Sequence, residues 1–344
     1  MLHRRPLPAP FQGALRSVVA RLPRRRTTAF LFSGGGNLGA VQIGMLRALV
    51  EAGIVPDLVI GCSVGAINGA GFAADPTLRG VARLERIWRR LADGNPELMP
   101  GGFMPLAVQL ARKGENLHDP SRLELLLEEQ LPAESFADLR IPFHCVATDL
   151  HEATEHWFHE GPLVPALMAS AALPAVYPAR QVAGRTLIDG GVLNEVHTAR
   201  AVELGANELY VLHVGHLGRR PMTVQRPFDS AMRAYWTARR YRLEDDLRRI
   251  PPGCAVHRLP AGVTPRLRFD DFSQGPDLAD IAYEQTAEYL RTGRLPEEEI
   301  DPAALPAEAA FTAEESTYDI VAGTGDRAEG DDDLDTWPVT DRSS

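Results

Sequence analysis

The 344-residue sequence predicts an α/β protein, a three-layer sandwich whose mainly parallel central sheet lies between helical layers. Three observations predict it. Short apolar runs suited to strands alternate with segments that carry a helical stripe of apolar residues. The strand-like runs are apolar almost throughout, as burial on both faces requires. Two glycine-rich turns, Ser33-Gly34-Gly35-Gly36-Asn37-Leu38-Gly39 and Gly61-Cys62-Ser63-Val64-Gly65, each close a strand and open a helix. Strand, helix and strand in succession is the connection from which parallel sheets are built.

Residues 28–33 form the first apolar run, Thr-Ala-Phe-Leu-Phe-Ser. From Leu38 to Ala52, Val41, Met45, Leu46 and Leu49 mark one helical face, which Gly53 ends. Leu58 to Gly61 is the second strand, and Ala66 to Ala74 reads as a helix of small residues able to lie close under a sheet. Thr77 to Ala92 and Arg122 to Leu131 read as helices. Phe143 to Thr148, Thr186 to Ile188 and Glu208 to Val214 read as further strands, with a helix at His197 to Leu204. Residues 228–250 place Phe228, Met232, Tyr235, Trp236, Leu243 and Leu247 at helical spacing, with Arg233, Arg240 and Arg248 between them. That pattern predicts a core-packing helix with a solvated face. Asn95 to Pro105, rich in Pro and Gly beside Met99, Phe103, Met104 and Leu106, reads either as a lid over an apolar pocket or as an irregular loop pinned by core residues.

Hydrophobic residues make up 44% of the chain and charged residues 24%, a balance that suits a globular protein with a large core. The net charge of -10 is local: residues 301–344 hold 12 acidic and 2 basic residues, and so carry all of it. At the other end, Arg4, Arg5, Arg16, Arg21, Arg24, Arg25 and Arg26 stand among no acids. The expected organisation is a basic N-terminal arm over 1–26, an α/β domain over 27–298 and an acidic, disordered tail over 299–344. The arm is either solvated chain or a peripheral contact with an anionic membrane. Nothing indicates a nucleic-acid partner. Cys62, Cys145 and Cys254 are too few and too scattered for a disulfide framework. Gln12, Arg16, Ser17 and Arg21 interrupt Phe11 to Leu22, which excludes a signal-peptide core, and no stretch nears the roughly 18 apolar residues of a membrane span. A cytoplasmic location is expected.

The chemistry centres on the two glycine turns. In a G-x-S-x-G turn the bend lifts a serine hydroxyl off the sheet, which makes Ser63 the candidate nucleophile. Gly34, Gly35 and Gly36 can aim their N–H groups at one point, with the positive end of the following helix behind them. A serine hydroxyl needs a base. Asp189 is the best candidate, because it ends a strand and Gly190-Gly191 lets the backbone bend and present the carboxylate at the C-terminal edge, where parallel-sheet sites gather.

Competing readings exist. Gly34-x-Gly36-x-x-Gly39 also fits a dinucleotide fingerprint, but the acid that should end the second strand is missing, since Asp57 precedes that strand. A nicotinamide cofactor is therefore not expected. A Ser-Asp-His hydrolase using His213 or His216 is permitted by chain order. His151, Glu152, His156 and His159 lack zincin spacing and read as a surface hairpin, so no metal is expected.

Taken in order, Gly34-Gly35-Gly36-x-x-Gly39, Gly61-x-Ser63-x-Gly65 and Asp189-Gly190-Gly191 resemble the three signatures of the patatin-like phospholipases, in particular bacterial patatin-like acyl hydrolases. Val146-Ala147-Thr148-Asp149-Leu150 and the segment Ser170 to Pro178 look like that family's connecting segments, so the resemblance spans about residues 28–215. It implies a Ser63–Asp189 dyad without histidine, an oxyanion hole at Gly34, Gly35 and Gly36, and hydrolysis of lipid acyl esters of the phospholipase A, lysophospholipase or esterase type without a cofactor. Two departures stand out. Leu38 occupies a position where the family often has Arg or Lys, which shifts the expectation toward a neutral ester or lysolipid. After Asp-Gly-Gly, the usual proline-containing turn reads Val192-Leu193-Asn194-Glu195-Val196-His197.

Overall fold

Every residue of the first two strands is buried, and the chain around them alternates as its apolar pattern requires. The computed structural model describes residues 26–94, 120–174, 176–215, 227–262 and 271–295. The segment expected as a lid or loop, the arm over 1–25, His216 and the acidic tail lie outside the described residues. β1 (Thr28–Phe32) leads through a tight turn of 3₁₀ helix (Gly36–Gly39) into α1 (Ala40–Glu51). β2 (Leu58–Cys62) leads into α2 (Val64–Ala74) and α3 (Leu78–Ala92). After α4 (Ser121–Gln130) come β3 (Phe143–Asp149), β4 (Thr154–Phe158), α5 (Leu163–Ser170), β5 (Arg180–Val182) and β6 (Arg185–Asp189). The remainder comprises α6 (Thr198–Glu203), β7 (Glu208–Leu212), α7 (Pro227–Arg248), β8 (Ala255–Arg258) and α8 (Gly275–Thr292).

The strands form one sheet in the order β5-β6-β3-β2-β1-β7-β8, with β4 also on β3. Pairings from β3 through β2, β1 and β7 to β8 are all parallel, whereas β4 and β6 run antiparallel to β3. The alternation along β1 divides the core. Phe30 and Phe32 pack on one face with α1, α2, α3 and α8, while Ala29 and Leu31 pack on the other with Ala201 of α6 and Leu243 of α7. Two apolar cores on opposite faces make the layers of the predicted sandwich.

Four elements are not anticipated from the sequence. β5 has three residues, and no residue of β8 is fully buried, so neither carries a strong apolar pattern. α5 contains Pro165, tolerated because it falls in the first turn, where the backbone N–H needs no helical partner. α8 carries readable signals, with Pro276 at its start and a left-handed Gly293 as its C-cap. It crosses α1 at Gly44, where an added methyl would lie 1.9 Å from the Ala279 carbonyl oxygen.

A buried polar chain ties the first glycine turn to the helices below it. Gln42 Nε2 donates to the Ser33 and Leu212 carbonyls at 2.8 and 3.0 Å. Asn68 Nδ2 donates to the Gly39 carbonyl at 3.0 Å and to Gln42 Oε1 at 2.9 Å, and Asn68 Oδ1 accepts the Trp88 indole N–H at 3.1 Å. Asn68→Ala would orphan the Trp88 donor and the acceptors on Gly39 and Gln42 in a dry core. The expected loss is about 3 kcal/mol, read as a lower midpoint in equilibrium urea unfolding. An unchanged midpoint would contradict the importance of this chain.

Candidate active site

β2 ends at Cys62, and the backbone turns abruptly. Ser63 has φ 56° and ψ -129° before α2 begins at Val64. A positive φ is costly for a residue with a side chain, and such strain persists only where surrounding structure enforces it. Here the motif glycines permit it: a methyl on Gly61 would lie 2.5 Å from the Gly65 carbonyl oxygen, and one on Gly65 would lie 2.4 Å from that of Ser33. Gly39 presses the first turn onto the second, since a methyl there would fall 2.5 Å from Val64 Cγ2. The Ser63 backbone N–H donates to Ser170 Oγ at 3.0 Å.

The register of β3 brings Asp189 to this serine. β4 occupies one edge of β3 over residues 145–149, so β2 and β6 must share the other. Cys62 at the end of β2 stands opposite Val146, and Asp189 at the end of β6 stands opposite Ala147, the next residue. The two strands therefore meet head to head at their C-terminal ends. The sequence places Asp189 at the C-terminal edge of a strand; the structure adds that this strand is antiparallel and points at Ser63. Ser63 Oγ donates to Asp189 Oδ2 at 2.5 Å across 126 positions of chain. Asp189 Oδ1 accepts the Gly191 N–H at 2.7 Å, and the Asp189 N–H donates to the Ala172 carbonyl at 2.9 Å. The segment 170–172 thus holds the backbone of both residues. Thr148 Oγ1, donating to the Asp189 carbonyl at 3.1 Å, secures the end of β6, and Asp149 accepts the His151 and Glu152 N–H groups at the β3–β4 turn.

Asp189 is 2% exposed. Burial raises its carboxyl above the ordinary value of 3.8, against the Ser63 hydrogen bond, the nearby Arg239 charge and the Gly191 N–H, which pull it down. Burial likewise raises the Cys62 thiol well above its ordinary value, so this neighbour of Ser63 stays protonated and serves as packing.

The first turn lies against the serine: a methyl on Gly34 would sit 3.2 Å from Ser63 Cβ. Gly36 has φ 60°, a left-handed conformation that glycine adopts without strain. Among the described residues, no acceptor takes the N–H of Gly34, Gly35 or Gly36. Leu38 is buried in the apolar core. A methyl on Gly190 would lie 2.5 Å from the Val146 carbonyl oxygen, which fixes glycine there where β6 abuts β2.

The competing constellations do not assemble in the same way. Asp57 Oδ2 accepts the Thr28 N–H at 3.0 Å, at the N-terminal end of the strands and away from Gly34 to Gly36. His213 Nε2 pairs with Glu195 Oε1 at 3.0 Å, and its Nδ1 accepts the Gly215 N–H at 3.1 Å. Among the described residues, no histidine nitrogen bonds to the Ser63 or Asp189 side chain. His156 lies on β4 of the β3–β4 hairpin, with His151 in its turn and His159 just beyond its end.

Sequence reasoning misses Ser170 as a partner of Ser63. It also misses Arg239, which lies in the helix expected to have a solvated arginine face but is 5% exposed. Its spacing of four from Tyr235 on one helix face is the signal that could have found it.

A strained serine between a glycine turn and a buried carboxylate, on a mainly parallel sheet, defines a class of α/β protein with the layout of a serine acyl hydrolase. A family model described as patatin-like phospholipase matches residues 30–202. The chain belongs to the patatin-like phospholipase family. Among its relatives is a patatin-like phospholipase domain-containing protein of Caenorhabditis elegans, 26% identical over 58% of this chain and 18% of that protein. An NTE family protein of Mycobacterium tuberculosis is 33% identical over 58% of this chain and 51% of its own length. A lysophospholipase of Aspergillus terreus is 25% identical over 60% of this chain and 13% of its own length. The chain therefore spans at most about half the length of these relatives.

Proposed function

We propose that this chain hydrolyses lipid acyl esters by a serine mechanism with aspartate as the sole base. The observation that carries the reading is the 2.5 Å hydrogen bond from Ser63 Oγ to Asp189 Oδ2 at a positive-φ turn. Ser63 Oγ attacks the ester carbonyl as Asp189 takes its proton. The N–H groups of Gly34, Gly35 and Gly36 receive the developing oxyanion, with α1 starting directly behind them. Asp189 returns the proton to the leaving alcohol, and the acyl group remains on Ser63. A water molecule that gives its proton to Asp189 then attacks the acyl-enzyme; the proton passes to Ser63 as the fatty acid leaves.

The family membership supports a lipid substrate, and two features narrow it. One relative is named a lysophospholipase. Leu38, buried in the apolar core, brings no cation to the first glycine turn for an anionic head group. We therefore read the substrate as a lysophospholipid or a neutral ester. Among the described residues no helix is long and apolar enough to cross a membrane.

Labelling with a fluorophosphonate probe, followed by peptide mapping, tests the reading. The expected adduct is on Ser63 alone. An unlabelled protein, or a label on another serine, would overturn it.

A further inference from the structure

The segment that departs from the family's proline-containing turn supplies a buried acid, and that acid holds a buried cation against the serine pair. Glu195 is 1% exposed and pairs through Oε2 with Nη2 of Arg239 on α7. Its other oxygen meets His213 Nε2, and because the Gly215 N–H occupies Nδ1, the His213 ring proton sits on Nε2 and donates to Glu195. Arg239 Nη1 donates to the Tyr235 hydroxyl at 3.0 Å, which donates onward to the Gly191 carbonyl at 3.3 Å, and the guanidinium lies 5.0 Å from the centre of the Tyr235 ring.

These contacts aim Arg239 at the two motif turns. A methyl on Gly34 would lie 3.2 Å from Arg239 Nη2 and 3.2 Å from Ser63 Cβ. A methyl on Gly191 would lie 3.2 Å from the same nitrogen and 3.0 Å from Asp189 Oδ1. The guanidinium thus occupies space that both glycines leave open, close to the hydrogen-bonded Ser63–Asp189 pair. A buried ion pair is costly to keep, and hydrophobic residues could have filled the same volume. Leu38 brings no charge to the first turn, whereas α7 places Arg239 beside Gly34 from more than 200 positions away.

We propose that Arg239, fixed by Glu195, is a positioning residue of the Ser63–Asp189 pair and acts through the Asp189 carboxylate. The proposal rests on the hydrolase reading above. Among the described residues, the groups facing Asp189 are Ser63 and Cys62 from the end of β2, Arg239 and Tyr235 from α7, and Glu195 from the turn after β6, with His213 behind Glu195. Cys62 and Tyr235 are both held protonated by burial. Among the described residues, that leaves Arg239 and Glu195 as the fixed charges, of opposite sign, that act on Asp189. Arg239 favours its ionised form and Glu195 disfavours it.

The test is the acid limb of kcat/KM against pH for a medium-chain nitrophenyl ester, normalised to active sites by fluorophosphonate titration. Arg239→Met should move the limb to higher pH and lower kcat by about ten- to a hundredfold with KM within about twofold, as for an interaction made mainly in the transition state. Arg239→Lys, which keeps the charge, should recover part of both. Glu195→Gln should move the limb the other way, to lower pH. Opposite displacements are a signature that loosened packing would not produce. If the wild type labels at Ser63 but the limbs coincide, or shift in the same direction, the role of Arg239 is refuted and the hydrolase reading stands. If the wild type does not label, both fall. Should Arg239→Met fail to fold, Glu195→Gln and Arg239→Lys decide alone: a Glu195→Gln limb that fails to move down overturns the proposal.

Discussion

Ser63→Ala is expected to lower kcat/KM for a medium-chain nitrophenyl ester by on the order of ten-thousand-fold or more, the scale of losing a nucleophile that works as a unit with its base. The protein should remain folded. Alanine keeps Cβ, so the turn at φ 56° experiences the same strain, and the Ser63 N–H still reaches Ser170 Oγ. What disappears is the hydroxyl and its hydrogen bond to Asp189. That bond lowers the carboxyl's affinity for a proton, so its loss lets burial raise the Asp189 carboxyl further. Far-UV circular dichroism and a urea midpoint provide the fold control. Activity within tenfold of the wild type, in a variant that folds, would reject Ser63 as the nucleophile.

Asp189→Asn should lower the same constant by about a thousand- to ten-thousand-fold, near the upper range for removing a general base. Asparagine preserves the shape and can still accept the Gly191 N–H through its carbonyl oxygen, but it cannot take the proton of Ser63. This variant separates chemistry from stability. Burial raises the Asp189 carboxyl, so the folded protein holds its proton more tightly than the unfolded chain does. Stability contributed by this group is therefore complete below the unfolded value, near 3.8, and declines as pH rises through the folded value. At neutral pH the ionised carboxylate costs stability that a neutral asparagine does not. The variant should unfold in urea no earlier than the wild type at neutral pH while losing its activity. A parallel drop in both would mean that Asp189 serves the fold first. In the wild type, activity should fall on the acid side with a midpoint above 3.8, since the base must be ionised to accept a proton.

The glycine turns were legible because their constraints are local. A strand that ends in Gly61-Cys62-Ser63-Val64-Gly65 has few ways to enter a helix, and the close approaches at Gly61 and Gly65 exclude side chains whatever the rest of the fold does. The strands and helices around them were legible for the same reason, as short continuous apolar runs and as apolar stripes of period near four. α5 went unread because Pro165 masked it, and α8 went unread despite the signals at its ends because nothing adjacent in sequence announced the surface that it covers. Arg239 was hidden by its neighbours. Arg240 beside it is exposed, and only the packing of α7 distinguishes the two.

By itself, then, the sequence determined the layered α/β class, the serine at a sharp strand-to-helix turn, the glycine turn able to aim its amides at one point and the presence of an Asp-Gly-Gly turn, since each depends on conformational limits within a few residues. Only the tertiary structure decided that β2 and β6 share one edge of β3 and collide end to end, which sets a carboxylate 126 positions away against the serine. It alone decided that Glu195 and Arg239 are buried together beside them. Register and burial are properties of contacts between distant segments, and a buried charge reveals its partner only once water has been excluded from around both.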